Sequence, residues 1–289
     1  MPLRDQDKYR IKIDGELEVV TEIRNKILDE FGDLEFVEDG HKYFLNGEQL
    51  PSVSEIVHGF SQYPFHEEEE AIKYAEKHGE TPQYWLDKWK FTNLKATVTG
   101  TQVHSFLESV GWVRSGFPEL INEDQKYKYI QDKNWMIPTR EKEEAGLKFF
   151  DELHPNLHFV MPETRVYSNK GELSSVKTKF CGTFDLLMYY NDPKNPSKNG
   201  LVILDWKTNR ELTKEYSREH DNRLAYPFNS LYDEPLGFYS VQLNLYALCL
   251  YGIGFNIVGL RVIWLKEDGT YELIPIKPMF KEKWFRNAI

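Results

Sequence analysis

The chain is short of cysteine, of long apolar runs and of positive charge, and each shortage removes a class of protein. Its 289 residues include two cysteines, Cys181 and Cys249, both in apolar segments. They match no disulfide framework, zinc site or four-cysteine iron–sulfur cluster. A reducing, cytoplasm-like compartment is therefore expected, the host cytoplasm if the source is viral. No signal peptide opens the chain and its apolar runs are too short or too interrupted to cross a bilayer, so a soluble protein is expected. Lysine and arginine number 36 against 46 aspartates and glutamates, a formal net charge of -10. That balance argues against a surface that coats nucleic acid generically, so any phosphate binding must be local. A Gly-x-x-x-x-Gly-Lys-Ser/Thr loop is also missing, which excludes a nucleotide-driven motor of that type.

Apolar and aromatic residues are plentiful, at 40% and 15%, enough for a substantial core in one large domain or a core with a helical extension. The front of the chain reads as mainly helical. Val19 to Phe31 has helical periodicity, Leu34 to Val37 and Tyr43 to Leu45 with Asn46-Gly47 suggest a small hairpin, and Ser52-Val53-Ser54-Glu55 has capping-box spacing. The acidic run Glu67 to Glu70 reads as the solvated face of a helix. Further helices are expected over Gln83 to Lys90, Thr101 to Ser109 and Thr139 to Leu153. From about His158 the period becomes strand-like, with strands at Phe159 to Tyr167, Phe180 to Tyr190 and Leu201 to Trp206. A long polar stretch, Asn209 to Glu234, precedes a helix from about Phe238 to Tyr251, strands at Ile257 to Leu265 and Tyr271 to Ile276, and a short terminal helix.

The chemistry concentrates in Cys181-Gly182-Thr183-Phe184-Asp185 and in Leu204-Asp205-Trp206-Lys207. Side chains alternate along a strand, so Asp205 and Lys207 share a face while Trp206 points the other way with Val202 and Leu204. A carboxylate in so apolar a strand costs several kcal/mol or more unless a partner or a metal compensates it. Asp185 and Asp205 offer hard oxygen ligands suited to Mg2+ or Mn2+. A lysine beside them is a point charge able to hold an attacking hydroxide. Gln242 and Tyr246, four residues apart, lie on one face of their predicted helix.

In order, Gly-Thr-Gln-Val-His104, Pro162-Glu163, Gly-Thr-Phe-Asp185, Leu-Asp205-Trp-Lys207 and Gln242-Leu-Asn-Leu-Tyr246 resemble the PD-(D/E)XK nuclease superfamily, and within it the RecB-like exonuclease branch. The resemblance spans about His104 to Tyr246. It implies an α/β fold with a restriction-endonuclease-like core, a mixed central sheet flanked by helices, in residues 96–289. Residues 1–95 would form an N-terminal hairpin and helical extension packed on it. It further implies a metal shell of Asp185, Asp205 and the Trp206 carbonyl joined by Glu163 and His104, with Lys207 as the catalytic lysine and Gln242 and Tyr246 pointing to the active centre. A surface pairing of Glu163 with Arg165, or simple packing of Tyr246, is the plainer reading of those residues. Glu108, one turn beyond His104, is a weaker candidate. The missing cysteine quartet sets the chain apart from the iron–sulfur members of the branch.

Cations outnumber anions between Arg165 and Arg223, where Lys170 and Lys177 contribute. Arg210, Lys214, Arg218 and Arg223, interleaved with Tyr216, Tyr226, Phe228 and Tyr232, suit a single strand whose bases are free to stack. An ordered loop pinned by aromatic anchors fits the same pattern. The expectation is a metal-dependent deoxyribonuclease, an exonuclease preferring single-stranded or end-containing DNA in replication, recombination or repair. An endonuclease of the same fold, a non-catalytic DNA-binding protein and an RNA substrate stay open.

Overall fold

The computed structural model describes residues 15–37, 40–63, 65–114, 139–168 and 178–288. It has an α/β architecture, with a mixed five-stranded sheet, a small antiparallel sheet and helices on both faces of the larger one. Among the described residues, no helix is long and apolar enough to cross a membrane.

Helix α1 (Glu18–Phe31) buries Val20, Ile23, Ile27, Leu28 and Phe31, the spacing that places one stripe against a core. Strands β1 (Leu34–Val37), β2 (Lys42–Leu45) and β3 (Glu48–Leu50) follow as an antiparallel meander. The expected hairpin thus gains a third strand, too short at three residues to show a period. Asn46 and Gly47 turn β2 into β3 with φ of 52° and 81°, the paired positive angles that a two-residue hairpin turn requires. Helix α2 (Val53–His58) opens with the expected capping box: Ser52 Oγ accepts from the Glu55 amide at 3.1 Å, and Glu55 Oε2 accepts from the Ser52 amide at 2.6 Å. In helix α3 (Glu67–His78) the acidic run occupies the first turn, where carboxylates oppose the positive end of the helix dipole.

The two helices expected over Gln83 to Lys90 and Thr101 to Ser109 are one helix of 33 residues, α4 (Pro82–Arg114). Gly100 lies inside it rather than ahead of it. No proline interrupts the segment, and an internal glycine costs only about 1 kcal/mol. A Cβ on Gly100 would lie 3.4 Å from Thr208 Oγ1, an ordinary contact distance, so α4 passes beside the end of a central strand without needing a glycine there. The helix also runs straight through residue 95, where a boundary between extension and core was expected.

Helix α5 (Arg140–Asp151) leads into β4 (Leu157–Tyr167), β5 (Cys181–Tyr190) and β6 (Gly200–Lys207). The short α6 (Glu215–Glu219) and long α7 (Pro235–Gly252) precede β7 (Ile257–Leu265), β8 (Tyr271–Pro275) and α8 (Lys283–Ala288). The sheet runs β4-β5-β6-β7-β8, antiparallel at every junction except the parallel β6–β7 pair. One face packs Leu186, Met188, Leu204 and Trp206 against Val103 and Leu107 of α4 and Phe149 and Phe150 of α5. The other packs Leu187, Leu201 and Ile203 against α7 together with α1 and the small sheet. Trp206 therefore points away from the face of Asp205 and Lys207, as alternation predicts. Fully buried Arg24 of α1 donates from Nε to the Val160 carbonyl of β4 at 2.8 Å, beside the bulge between Phe159 and Met161. The N-terminal elements thus share a core with the large sheet.

Candidate active site

The site lies where β5 and β6 part. Their ladder ends at the pair Leu186↔Leu204, while β5 stays paired with β4 as far as Cys181 and β6 with β7 as far as Lys207. Asp185 and Asp205 are the first residues past that last pair, so they face one another across the opening. The Trp206 amide, released from the ladder, donates to Asp185 Oδ2 at 2.7 Å instead. From the opposite layer α4 brings His104, whose Nδ1 lies 2.9 Å from Asp185 Oδ1. Lys207 Nζ lies 2.5 Å from Asp205 Oδ2, yet that buried oxygen has no aligned hydrogen-bond donor among the described residues.

The electrostatics separate the two aspartates. Burial works against ionisation of Asp185, but the His104 imidazole and the Lys207 ammonium outweigh it and hold its carboxyl down at about 2. Burial dominates at Asp205: Lys207 opposes it, the negative Asp185 adds to it, and the carboxyl is pushed up to about 7. Asp205 is therefore the member of the pair that takes up a proton as pH falls below about 7, while Asp185 stays ionised. Burial disfavours the His104 imidazolium and the Lys207 ammonium, but the aspartates override it and raise both.

Glu163 belongs to the same field. It sits in β4 between the paired positions Pro162 and Thr164 with φ of 45°, a left-handed angle that costs a non-glycine residue roughly 1–3 kcal/mol and tends to persist at functional positions. Burial first, then Asp185, Glu108 and Asp205, raise its carboxyl well above the usual range, with Arg165 opposing. Glu108 also accepts from Trp112 Nε1 at 3.4 Å.

On α7, Gln242 Nε2 donates to the Tyr246 hydroxyl at 3.0 Å. Tyr246 is 3% exposed, with its ring packed on Phe184 and over Gly182, where a Cβ would meet ring atom Cε1 at 2.9 Å. That contact accounts for the glycine of the Gly-Thr-Phe-Asp185 run. It also leaves the hydroxyl, and not the ring face, available to a further partner.

The candidate substrate residues are dispersed. Arg210 and Lys214 are exposed. Arg218 is clamped by buried Glu234, Nη2 to Oε1 at 2.9 Å and Nε to Oε2 at 3.2 Å, and Arg223 is paired with Asp221 at 2.7 Å and stacked over Tyr232 at 3.7 Å. Phe228 is fully buried against Phe60 and Phe285, whereas Tyr226 is 83% exposed. The stretch is thus an ordered loop pinned by buried anchors that presents a few exposed side chains. Lys170 and Lys177 lie outside the described residues.

Three contributors escaped the sequence reading. Tyr239 holds its ring 4.4 Å from Lys207 Nζ and donates its hydroxyl to Asn209 Oδ1 at 2.7 Å. It stands three residues before Gln242 and seven before Tyr246, the helical spacing that could have revealed it. Tyr43 of the small sheet lies 3.0 Å from Thr183 Oγ1, and Lys142 donates to the Thr208 carbonyl at 2.6 Å. Neither long-range contact leaves a mark in the sequence.

The donor types fit a divalent cation: three carboxylates, an imidazole and one buried carboxylate oxygen lacking an aligned donor. Their present positions are engaged with each other, however, and among the described residues no group of three histidines, cysteines, aspartates or glutamates is disposed to hold a metal ion. A metal would have to displace the proton that Asp205 takes up and loosen the contacts of the two aspartates to His104 and Lys207. No protein-family model matches this chain, and no curated protein matches its sequence.

Proposed function

We propose that the chain is a metal-dependent deoxyribonuclease with a PD-(D/E)XK core, acting as an exonuclease on single-stranded or end-containing DNA. The observation that carries this reading is the meeting of His104, Asp185, Asp205 and Lys207 from three separate elements at the point where β5 and β6 part. A strand-end aspartate and lysine paired by chance would not draw a histidine from the opposite layer onto the neighbouring strand. Asp185 and Asp205, assisted by Glu163, His104 and the Trp206 carbonyl, are the residues that would hold Mg2+ or Mn2+. When bound, the metal neutralises phosphate charge and acidifies water. Lys207, pinned between Asp205 and the Tyr239 ring, orients the attacking water and offsets charge on the phosphate oxygens. Gln242 fixes the direction of the Tyr246 hydroxyl beside the carboxylates.

A second reading, a DNA-binding protein without turnover, draws on the absence of a ready-made ligand triad among the described residues. One experiment separates them. End-labelled linear and circular single-stranded DNA is incubated with wild type and Lys207→Ala in Mn2+, Mg2+ or chelator. Metal-dependent shortening of the linear strand alone, reduced by a factor of 100 or more in the variant, is the expected result. Cutting of the circle would make the protein an endonuclease, and binding without cleavage would leave the second reading.

A further inference from the structure

Side chains take over where the backbone ladder stops, just past Lys207. Asp205, Trp206 and Lys207 lie beyond the end of the β5–β6 ladder, and Lys207↔Trp264 is the last pair between β6 and β7. Lys207 thus sits at a strand end paired on one edge only, the kind of place that frays first. Three donors from three elements close on the next two residues. Lys142 of α5 donates to the Thr208 carbonyl at 2.6 Å, Trp264 of β7 donates from Nε1 to the Asn209 carbonyl at 2.8 Å, and the Tyr239 hydroxyl of α7 donates to Asn209 Oδ1 at 2.7 Å. The ring of the same Tyr239 lies against Lys207 Nζ.

Lys142 is the informative member of the set. It is 5% exposed, and its hydrogen bond among the described residues goes to a neutral carbonyl. It stands in the first turn of α5, where the positive end of the helix dipole opposes a cation. Burial lowers its affinity for a proton, with Glu267 opposing. Each of these features works against an ammonium group, so an apolar residue would suit the position better on stability alone. What the lysine adds is reach: a long stem carries a charge-assisted donor from the face opposite Lys207 to the backbone of the residue after it. So deeply buried a side chain is closed to a substrate phosphate.

We infer that Lys142, Trp264 and Asn209 are positioning residues, which hold the segment after β6 so that Lys207 stays between Asp205 and the Tyr239 ring. The inference rests on the nuclease reading for what Lys207 does once it is held there. Fixing the peptides on its C-terminal side sets the direction of its Cα–Cβ bond. Asp205 and Tyr239 then have only the end of the side chain to place.

The test reads the position of Lys207 and the reaction separately. In NMR of the full-length protein, isotope-labelled at lysine Cε and kept in chelator, the Lys207 signal is the one missing from Lys207→Ala. The Tyr239 ring shields it, and Tyr239→Leu gives its position without that shielding. Lys142→Met and Tyr239→Phe should each move the signal toward the Tyr239→Leu position, the second by losing only the hydroxyl that anchors the ring to Asn209. On end-labelled linear single-stranded DNA with Mn2+, both variants should lose roughly ten- to a hundred-fold in kcat with KM unchanged, the pattern of a displaced catalytic group rather than of a lost substrate contact. Circular dichroism checks that each variant is folded, and Tyr239→Phe keeps the test decisive if Lys142→Met does not fold. A Lys207 signal at its wild-type position in the folded variants, or full kcat in variants of a protein that cleaves, would overturn the inference and leave these contacts to stability alone. Displaced signals in a protein that cleaves nothing would support the positioning role and defeat only the nuclease reading.

Discussion

At the scale of single residues, the site is governed by two aspartates that cannot both be charged at no cost. Asp205, pushed up to about 7, binds a proton in the folded state that it releases in the unfolded chain above about pH 4. Its contribution to stability is therefore fully present below that pH and is lost as pH rises to 7. Asp185, held at about 2, works the other way: its contribution is present above about pH 4 and is lost as pH falls toward 2. A metal ion held by this pair would have to displace the proton on Asp205, and so would compete with protons across the upper window. Thermal unfolding should show Mn2+ raising Tm more at pH 8 than at pH 5, with Asp205→Asn abolishing the difference. An equal shift at both pH values would separate metal binding from this pair.

At the scale of elements, precision comes from close approaches rather than from propensity. The loop from Asn209 to Glu234 is tied down by buried carboxylates. Asp233 Oδ2 accepts from Ser61 Oγ at 2.8 Å and from the Gln62 amide at 3.0 Å, and Glu234 Oε2 accepts from the Lys214 amide at 2.8 Å. The chain then enters α7 through Gly237, where a Cβ would sit 2.1 Å from the Tyr232 carbonyl oxygen. Since that atom belongs to the backbone, Gly237→Ala must shift the loop or the helix. We expect a loss of roughly 1–3 kcal/mol in chemical denaturation. Because Tyr239 lies two residues further along the helix, the displacement should also shift its ring from Lys207 Nζ and lower the proposed cleavage activity. Gly146→Ala would meet side chain rather than backbone, Leu107 Cδ2 at 2.3 Å, but Leu107 is fully buried in the core, so relief there requires repacking.

At the scale of the whole molecule, the N-terminal elements are part of the main core. Val20, Ile27, Phe31, Tyr43 and Val53 join one cluster with Phe184, Ile203 and Leu260 of the large sheet, and α4 carries the chain through residue 95 without a break. The intact protein should unfold in a single calorimetric transition. A fragment of residues 96–289 would expose that apolar face and lose the α4 arm, and should show no cooperative transition. A fragment that melted cooperatively on its own would establish an independent core.

Local chemistry determined a good deal of this. The capping box at Ser52, the Asn46-Gly47 turn, the alternation through Asp205-Trp206-Lys207 and the order of the strands are short-range consequences of side-chain geometry and turn preference, so they can be read along the chain. The pairing of Asp185 with Asp205 was approachable because each interrupts an apolar strand. What only the tertiary structure decided is long-range: the parting of β5 and β6 that sets the aspartates face to face, the arrival of His104 from α4, the Tyr239 ring over Lys207, and the balance by which burial pushes Asp205 up while His104 and Lys207 hold Asp185 down. Contacts across a fold are set by the joint packing of layers far apart in sequence, and no single segment carries a record of the partner it will meet.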